Sequence, residues 1–292
     1  MRYADEYSGP DNSLSGYMVN PNLRAKREMA AEKEHPMVSV IVPVRDGVGV
    51  IEDCLRAMTE QTYPSDRLEV VVVDDESRDN TREYVEDVAQ QWLTEGNRPT
   101  LKIVPQEWAG AGAARNRGVQ ESAGSVVLFT DADCEPLEHW VEAIIAPFED
   151  PGVGAVAGGY LTRQKSIVAR MAQAEFEERY RFLDKHATID IAFTHSAAVR
   201  RDIFLESGGF DERMPNNADD LELSYRLAVS AGRIVDAADA QIYSRHPETS
   251  GDYISNKFGI GYWCHLVFKQ YPNRLIRGCA RLWHAKRDLR HH

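Results

Sequence analysis

The chain has 292 residues, 43% of them apolar and 27% charged, which is the make-up of a globular protein with a sizeable core rather than a disordered one. Its 34 basic and 46 acidic residues leave a formal net charge of −12, which excludes a general nucleic-acid binder working through a basic face. The four cysteines, Cys54, Cys134, Cys264 and Cys279, form no C-x-x-C pair, so no structural zinc site or disulfide framework is expected and a reducing compartment is the default.

Residues 1–37 read as a polar N-terminal extension, with a helix over "NLRAKREMAAEKEHP" stopped by Pro36. The opening "MRYADEYSGPDN" lacks signal-peptide character and no apolar run reaches bilayer length, so a cytoplasmic location is expected. From Met37 onward, strands alternate with helices. "MVSVIVPV", "LEVVVVDD", "LKIV", "SVVLFTDAD" and "GVGAVAGGYL" read as strands. Between them, "GVIEDCLRAMTEQTY", "DNTREYVEDVAQQWL", "AGAARNRGVQESA" and "EHWVEAIIAPF" have helical periodicity. That alternation predicts an α/β fold: a Rossmann-like, mostly parallel central sheet with helices on both faces.

The second half reads differently and predicts a smaller subregion packed on the sheet. "IVARMAQAEFEERYRFLD" is a long helix, "DIAFTHSAAVRR" a strand, and "DDLELSYRLAVSAG" a helix capped by Gly232. "RIVDAADAQIYSRHP" reads as paired strands. Residues 248–292 form a basic, helical C-terminal segment. There Arg274, Arg277 and Arg281 share one helical face and Ile276, Cys279 and Trp283 another, the pattern of a surface helix at an anionic membrane or of a helix packed on its own domain.

The chemistry concentrates at the strand ends. In an extended segment, positions i and i+2 point the same way, so Asp131 and Asp133 of "SVVLFTDADCEP" look into one space. Two unpaired carboxylates in a partly buried place are costly, and a bound cation is one common remedy, a solvated loop after the strand being the other reading. In such sheets ligands bind outside the carboxyl ends of the strands, where Asp74, Asp75, Asp131 and Asp133 all fall. "GAGAARNRG" is not a dinucleotide fingerprint, because Arg115 stands where the third glycine should and the motif follows the third strand. Asp219 and Glu222 have the spacing of a capping box, a role that leaves Asp220 unexplained.

Taken in order, "VSVIVPVRD", "VVVDDESRDNT", "AARNRG", "FTDADCEP", "SGGFDER", "DDLELSYRL" and the histidine of "YSRHP" resemble glycosyltransferase family 2, whose members have the GT-A fold. The resemblance covers residues 38–247. It implies an inverting, metal-assisted transfer of a sugar from a nucleoside diphosphate sugar, UDP foremost, to an acceptor hydroxyl in glycan or polysaccharide synthesis. By the same resemblance Asp133 is the main ligand of Mn2+ or Mg2+, and Asp131 serves both metal and ribose. Pro43 walls the base, Asp75 accepts a hydrogen bond from it, and Arg115 helps hold the nucleotide. Asp220 matches the catalytic base, with Asp219 replacing the usual Glu before it. His246 matches a histidine that binds metal or diphosphate. His195 departs from the family where an asparagine is common, which bears on the contacts to acceptor or donor sugar. A lipid-linked or growing-glycan acceptor, and peripheral membrane contact through the C-terminal segment, are the partners this reading suggests. Two other functions compete. A sugar nucleotidyltransferase should have a Gly-rich basic loop after the first strand, which "PVRDGVG" matches poorly. An idle nucleotide-sugar-binding protein would not need Asp131, Asp133 and Asp220 together.

Overall fold

Runs of β-branched residues build the first four strands: β1 (Val38–Val44), β2 (Leu68–Asp75), β3 (Thr100–Gln106) and β4 (Val126–Phe129). The structure is a computed structural model, and it describes residues 35–180, 188–189, 192–214, 219–230 and 232–270. The four strands lie in the order β3-β2-β1-β4, all parallel, joined through helices α1 (Ile51–Thr59), α2 (Thr81–Glu95) and α3 (Ala111–Glu121). Every residue of β2 is buried, as a strand covered on both faces requires. The period of two divides the core. Val40, Val42, Val70 and Val72 join Leu55 and Met58 of α1 on one face, while Ile41, Val71, Val73 and Phe129 meet Ala114, Val119 and Phe204 on the other. Helix α3 lies so close to the sheet that a Cβ on Gly118 would meet Ile41 Cγ2 at 2.4 Å.

The remaining elements are β5 (Glu135–Pro136), α4 (Trp140–Ile145), β6 (Val153–Leu161), α5 (Ile167–Tyr180), β7 (Thr188–Ile189), β8 (Ala197–Arg200), α6 (Arg201–Glu206), α7 (Asp219–Ser230), β9 (Arg233–Tyr243) and α8 (Ser250–Gln270). Here the parallel pattern breaks. Strand β8 runs antiparallel between β4 and β6, and β9 then pairs parallel to β6. The described sheet reads β3-β2-β1-β4-β8-β6-β9-β5, with β7 on β9. Most paired residues remain in parallel ladders.

Three local expectations change. "RIVDAADAQIYSRHP" holds one strand rather than two, because Ala238–Ala240 form a bulge opposite Gly158 and Gly159. A Cβ at Gly158 would meet the Ala240 carbonyl at 2.5 Å, so the bulge needs glycine there. Among the described residues of "DIAFTHSAAVRR" the strand covers Ala197–Arg200, and Thr194–Ser196 make a 3-10 turn before it. Strand β4 ends at Phe129, so Asp131 and Asp133 sit in a turn closed by Cys134 N–H on the Asp131 carbonyl (3.1 Å) rather than along a strand. The N-terminal helix, the end of the long helix beyond Tyr180 and the face carrying Arg274, Arg277 and Arg281 lie outside the described residues. No described helix is long and apolar enough to cross a membrane.

Candidate active site at the carboxyl edge of the sheet

A cleft of about 580 Å³ opens beyond the carboxyl end of β4, lined by Asp131, Asp133, His195, Asp220 and His246 together with residues of α5 and α8. The sequence motifs scattered over more than a hundred residues therefore meet in one place. Two hollows of similar volume, along Phe204–Arg213 and along Thr162–Glu177, lie away from the acidic turn.

Ligand atoms of Asp131, Asp133 and Cys134 lie within 4.8 Å of one another, the one such group among the described residues. Burial, reinforced by Asp131 and Asp133, drives the Cys134 thiol well above its usual range, and a soft sulfur ligand suits a hard cation less well than the two carboxylates do. The two carboxylates are the hard oxygen ligands that Mn2+ or Mg2+ takes alongside phosphate oxygens. Asp133 is itself pushed up, first by desolvation and then by the Asp131 charge, a strain that a cation would relieve. The donor set fits such an ion.

Behind the turn lies a buried arginine. Arg115 on α3 donates from Nη2 to Asp131 Oδ1 (2.9 Å) and from Nη1 to Asp219 Oδ2 (3.1 Å), above the Phe210 ring. Glu222 on the same helix as Asp219 accepts from Arg226 one turn on (Nε to Oε1, 2.7 Å).

Asp220 is placed differently. Its Oδ2 accepts the Thr194 N–H (3.2 Å), while Oδ1 is buried without a hydrogen-bond partner. Burial raises the Asp220 carboxyl, and Arg115 and His195 only partly offset this. Asp219 is raised as well, by burial and then by Asp220, against the pull of Arg115. A helix start and a nearby cation both act to lower a carboxyl such as Asp220; within the protein alone, desolvation wins.

His195 sits on the 3-10 turn, its ring edge-on to Tyr160 (4.5 Å) and stacked on Phe193 (5.8 Å). Burial lowers its pKa despite Asp131 and Asp220, so the ring is neutral, and its Nε2 is buried without a hydrogen-bond partner. His246 is held by glutamines: its N–H donates to Gln164 Oε1 (2.6 Å) and its Nε2 to Gln173 Oε1 (2.9 Å). It shares the cleft wall but is not in the 4.8 Å group with Asp131 and Asp133.

Pro43 and Asp75 lie at the ends of β1 and β2, outside the cleft lining. Buried Asp75 accepts from Gln106 Nε2 (2.7 Å) and Ala109 N–H (2.9 Å) on Oδ1, and from Gly110 N–H (2.9 Å) on Oδ2, so it pins the loop before α3. Asp74 is fully buried and accepts from Arg82 Nε and Nη2 (2.9 and 2.6 Å) on Oδ2 alone, which makes it a support of the β2–α2 turn. Sequence reasoning missed Trp108, 63% exposed beneath Arg45 at that same edge, although a lone tryptophan in "QEWAGAG" was a signal. It also missed Tyr160, Phe176, Phe193 and Lys257 in the cleft wall, which carry no motif.

The model of glycosyl transferase family 2 matches residues 39–208, more than half of the chain. Glycosyltransferase AglE of Haloferax volcanii is 29% identical over 226 residues, covering 77% of this chain and 72% of AglE. The probable glycosyltransferase YdaM of Bacillus subtilis is 31% identical over 228 residues, covering 74% of this chain and 52% of YdaM. Among solved structures, S. aureus TarS 1–349 in complex with UDP superposes with a TM-score of 0.58 at 22% identity, over 71% of this chain and 60% of that one. The mannosyltransferase PcManGT from Pyrobaculum calidifontis, in complex with GDP-Man and Mn2+, gives 0.59 at 25% identity, over 78% and 64%. The chain thus spans about half of YdaM and less than two thirds of either solved chain. Its sheet order, its acidic turn at the carboxyl edge and the match to the family model converge: the chain has the GT-A fold and belongs to glycosyltransferase family 2.

Proposed function

We propose that the protein is an inverting glycosyltransferase that moves a sugar from a nucleoside diphosphate sugar to an acceptor hydroxyl. The observation that carries this reading is the cleft that gathers Asp131, Asp133 and the half-satisfied, desolvated Asp220 at the sheet's carboxyl edge. Asp133 and Asp131 would hold Mn2+ or Mg2+, which when bound supplies positive charge against the departing diphosphate. Arg115 orients Asp131 from behind. Pro43 and Asp75 face the base, where Asp75 Oδ2 accepts a single protein hydrogen bond and retains capacity for a base N–H. His246 and the neutral His195 serve the diphosphate and sugar side of the cleft.

In the transfer, Asp220 Oδ1 takes the proton of the acceptor hydroxyl. The acceptor oxygen forms its bond to the anomeric carbon from the face opposite the diphosphate. The carbon–oxygen bond to the diphosphate breaks and its electron pair leaves with the phosphate, through an oxocarbenium-like transition state. The product is inverted, and Asp220 ends protonated. UDP sugars are the first donors to test, and GDP sugars the second, since PcManGT was solved with GDP-Man.

The test is product release with divalent ion present. Nucleoside diphosphate is expected; pyrophosphate would mean a nucleotidyltransferase. Asp133→Ala should abolish turnover along with most of the ion dependence of donor binding. Full activity in excess EDTA overturns the metal assignment.

A further inference from the structure

Helices α5 and α8 pack side by side, joined by Glu175, which accepts from Tyr253 Oη (2.8 Å) and pairs with Lys257 Nζ (2.6 Å). Their inner faces line the cleft through Ala172, Phe176, Asn256 and Ile260. Their outer faces are apolar and in the open. Ile254, Phe258 and Tyr262, spaced one turn apart along α8, are 65%, 76% and 53% exposed, and Ile167 and Met171 on α5 are 78% and 59% exposed. These five are more than half of the exposed large apolar side chains in the described residues, gathered on two neighbouring helices. Proteins seldom leave such a set to water.

The charge around this face narrows its occupant. Exposed Lys165 and Arg170 flank Ile167 and Met171, with exposed Glu177, Glu178 and Asp252 further along the two helices. Beyond Gln270 the sequence carries Arg274, Arg277, Arg281, Lys286, Arg287 and Arg290 against the single acid Asp288, within a chain whose net charge is −12. A sequence that follows α8 directly with six bases against one acid, opposite in sign to the whole protein, complements a surface of anionic headgroups over hydrocarbon. No described helix can span such a layer, so the face would lie on it. We propose that the outer face of α5 and α8 seats the protein on an anionic lipid bilayer. The cleft lined by the inner faces of the same helices is then held close to that bilayer. The seating does not rest on the glycosyltransferase reading.

The test uses the full chain with vesicles of phosphatidylcholine and phosphatidylserine, against phosphatidylcholine alone. Co-sedimentation with the mixed vesicles at low salt is expected. The double variant Ile254→Ser with Phe258→Ser should weaken it by at least about tenfold, as an interfacial helix losing two apolar anchors does. Changing Arg274, Arg277 and Arg281 to Glu should weaken it too, with the remaining binding less sensitive to salt. A Phe258→Trp probe should shift its emission to the blue on adding vesicles. Donor binding by thermal shift is expected to be unchanged in every variant, so its loss in the parent chain would count against the transferase reading and leave the seating standing. The proposal is overturned if the parent ignores mixed vesicles, if the serine variant binds as well as the parent, or if the tryptophan emission does not move. It is equally overturned if the parent is a dimer that the serine variant dissociates, since a second copy would then cover the face.

Discussion

Asp219 and Asp220 are neighbours in sequence with different partners, and the difference sets what each substitution removes. Asp220 lines the cleft while Asp219, whose Oδ1 is likewise buried without a partner, does not, so Asp220→Asn removes the proton acceptor there: donor binding should persist while turnover falls by about two to four orders of magnitude. Asp219→Asn keeps an oxygen for Arg115 and should cost far less, because burial and Asp220 already favour the uncharged form of that carboxyl. The pH profile adds a check. The base must be unprotonated, and burial raises Asp220, so activity should climb with pH along a limb whose midpoint lies above the ordinary carboxylate value of about 4. A limb at or below that value, or equal damage in the two amide variants, would defeat the assignment of roles. The candidate carboxylates were legible in the sequence because each sits in a short motif at a strand or helix end. Tyr160, Phe193 and Lys257 were not, because nothing local marks them: they reach the cleft through the placing of β6, a 3-10 turn and α8.

At the level of elements, two buried details fix how helices and strands fit. Gly118 lets α3 lie against β1 and β2; an added Cβ would also come within 3.1 Å of Val73 Cγ2. Gly118→Ala should therefore destabilise by about 1–3 kcal/mol through overpacking, read as a lower unfolding midpoint. Glu69 is buried at the opposite, amino edge of β2. It accepts from Ser39 Oγ (2.5 Å), Lys102 Nζ (2.8 Å) and the Ala123 N–H, joining β1, β2, β3 and the turn before β4. Burial alone would raise this carboxyl, yet Lys102, Ser39 and the Ala123 N–H outweigh it and hold the pKa below its ordinary value. A lowered pKa in the folded state means stabilisation present above the unfolded value of about 4.3 and lost as pH falls through the folded one. Glu69→Gln should be less stable than the parent at neutral pH, with the gap closing in acid, as urea midpoints across pH would record. The strands themselves were legible from their β-branched runs. The place of β8 was not, since four short residues, "AAVR", carry no sign of which strands will flank them.

For the whole molecule, the α/β alternation revealed the first half of the sheet, and the motifs of the family resemblance marked residues that the fold gathers in one cleft. The second half depends on pairings distant in sequence, and these bear on how the chain comes to exist. Strand β6 is finished at Leu161, but its two neighbours, β8 and β9, begin only at Ala197 and Arg233. A ribosome adding about 5–20 residues per second would hold β6 with both edges unpaired for seconds while β1 to β4 already have partners. The segment matched by the family model ends at residue 208, before Asp220, β9 and α8 have been made. A nascent or proteolysed chain stopping there would keep the parallel half and the acidic turn, present an apolar strand edge to any other chain nearby, and have no cleft to work in. Enzyme and aggregate thus share the same first two hundred residues and part only when the last strand arrives.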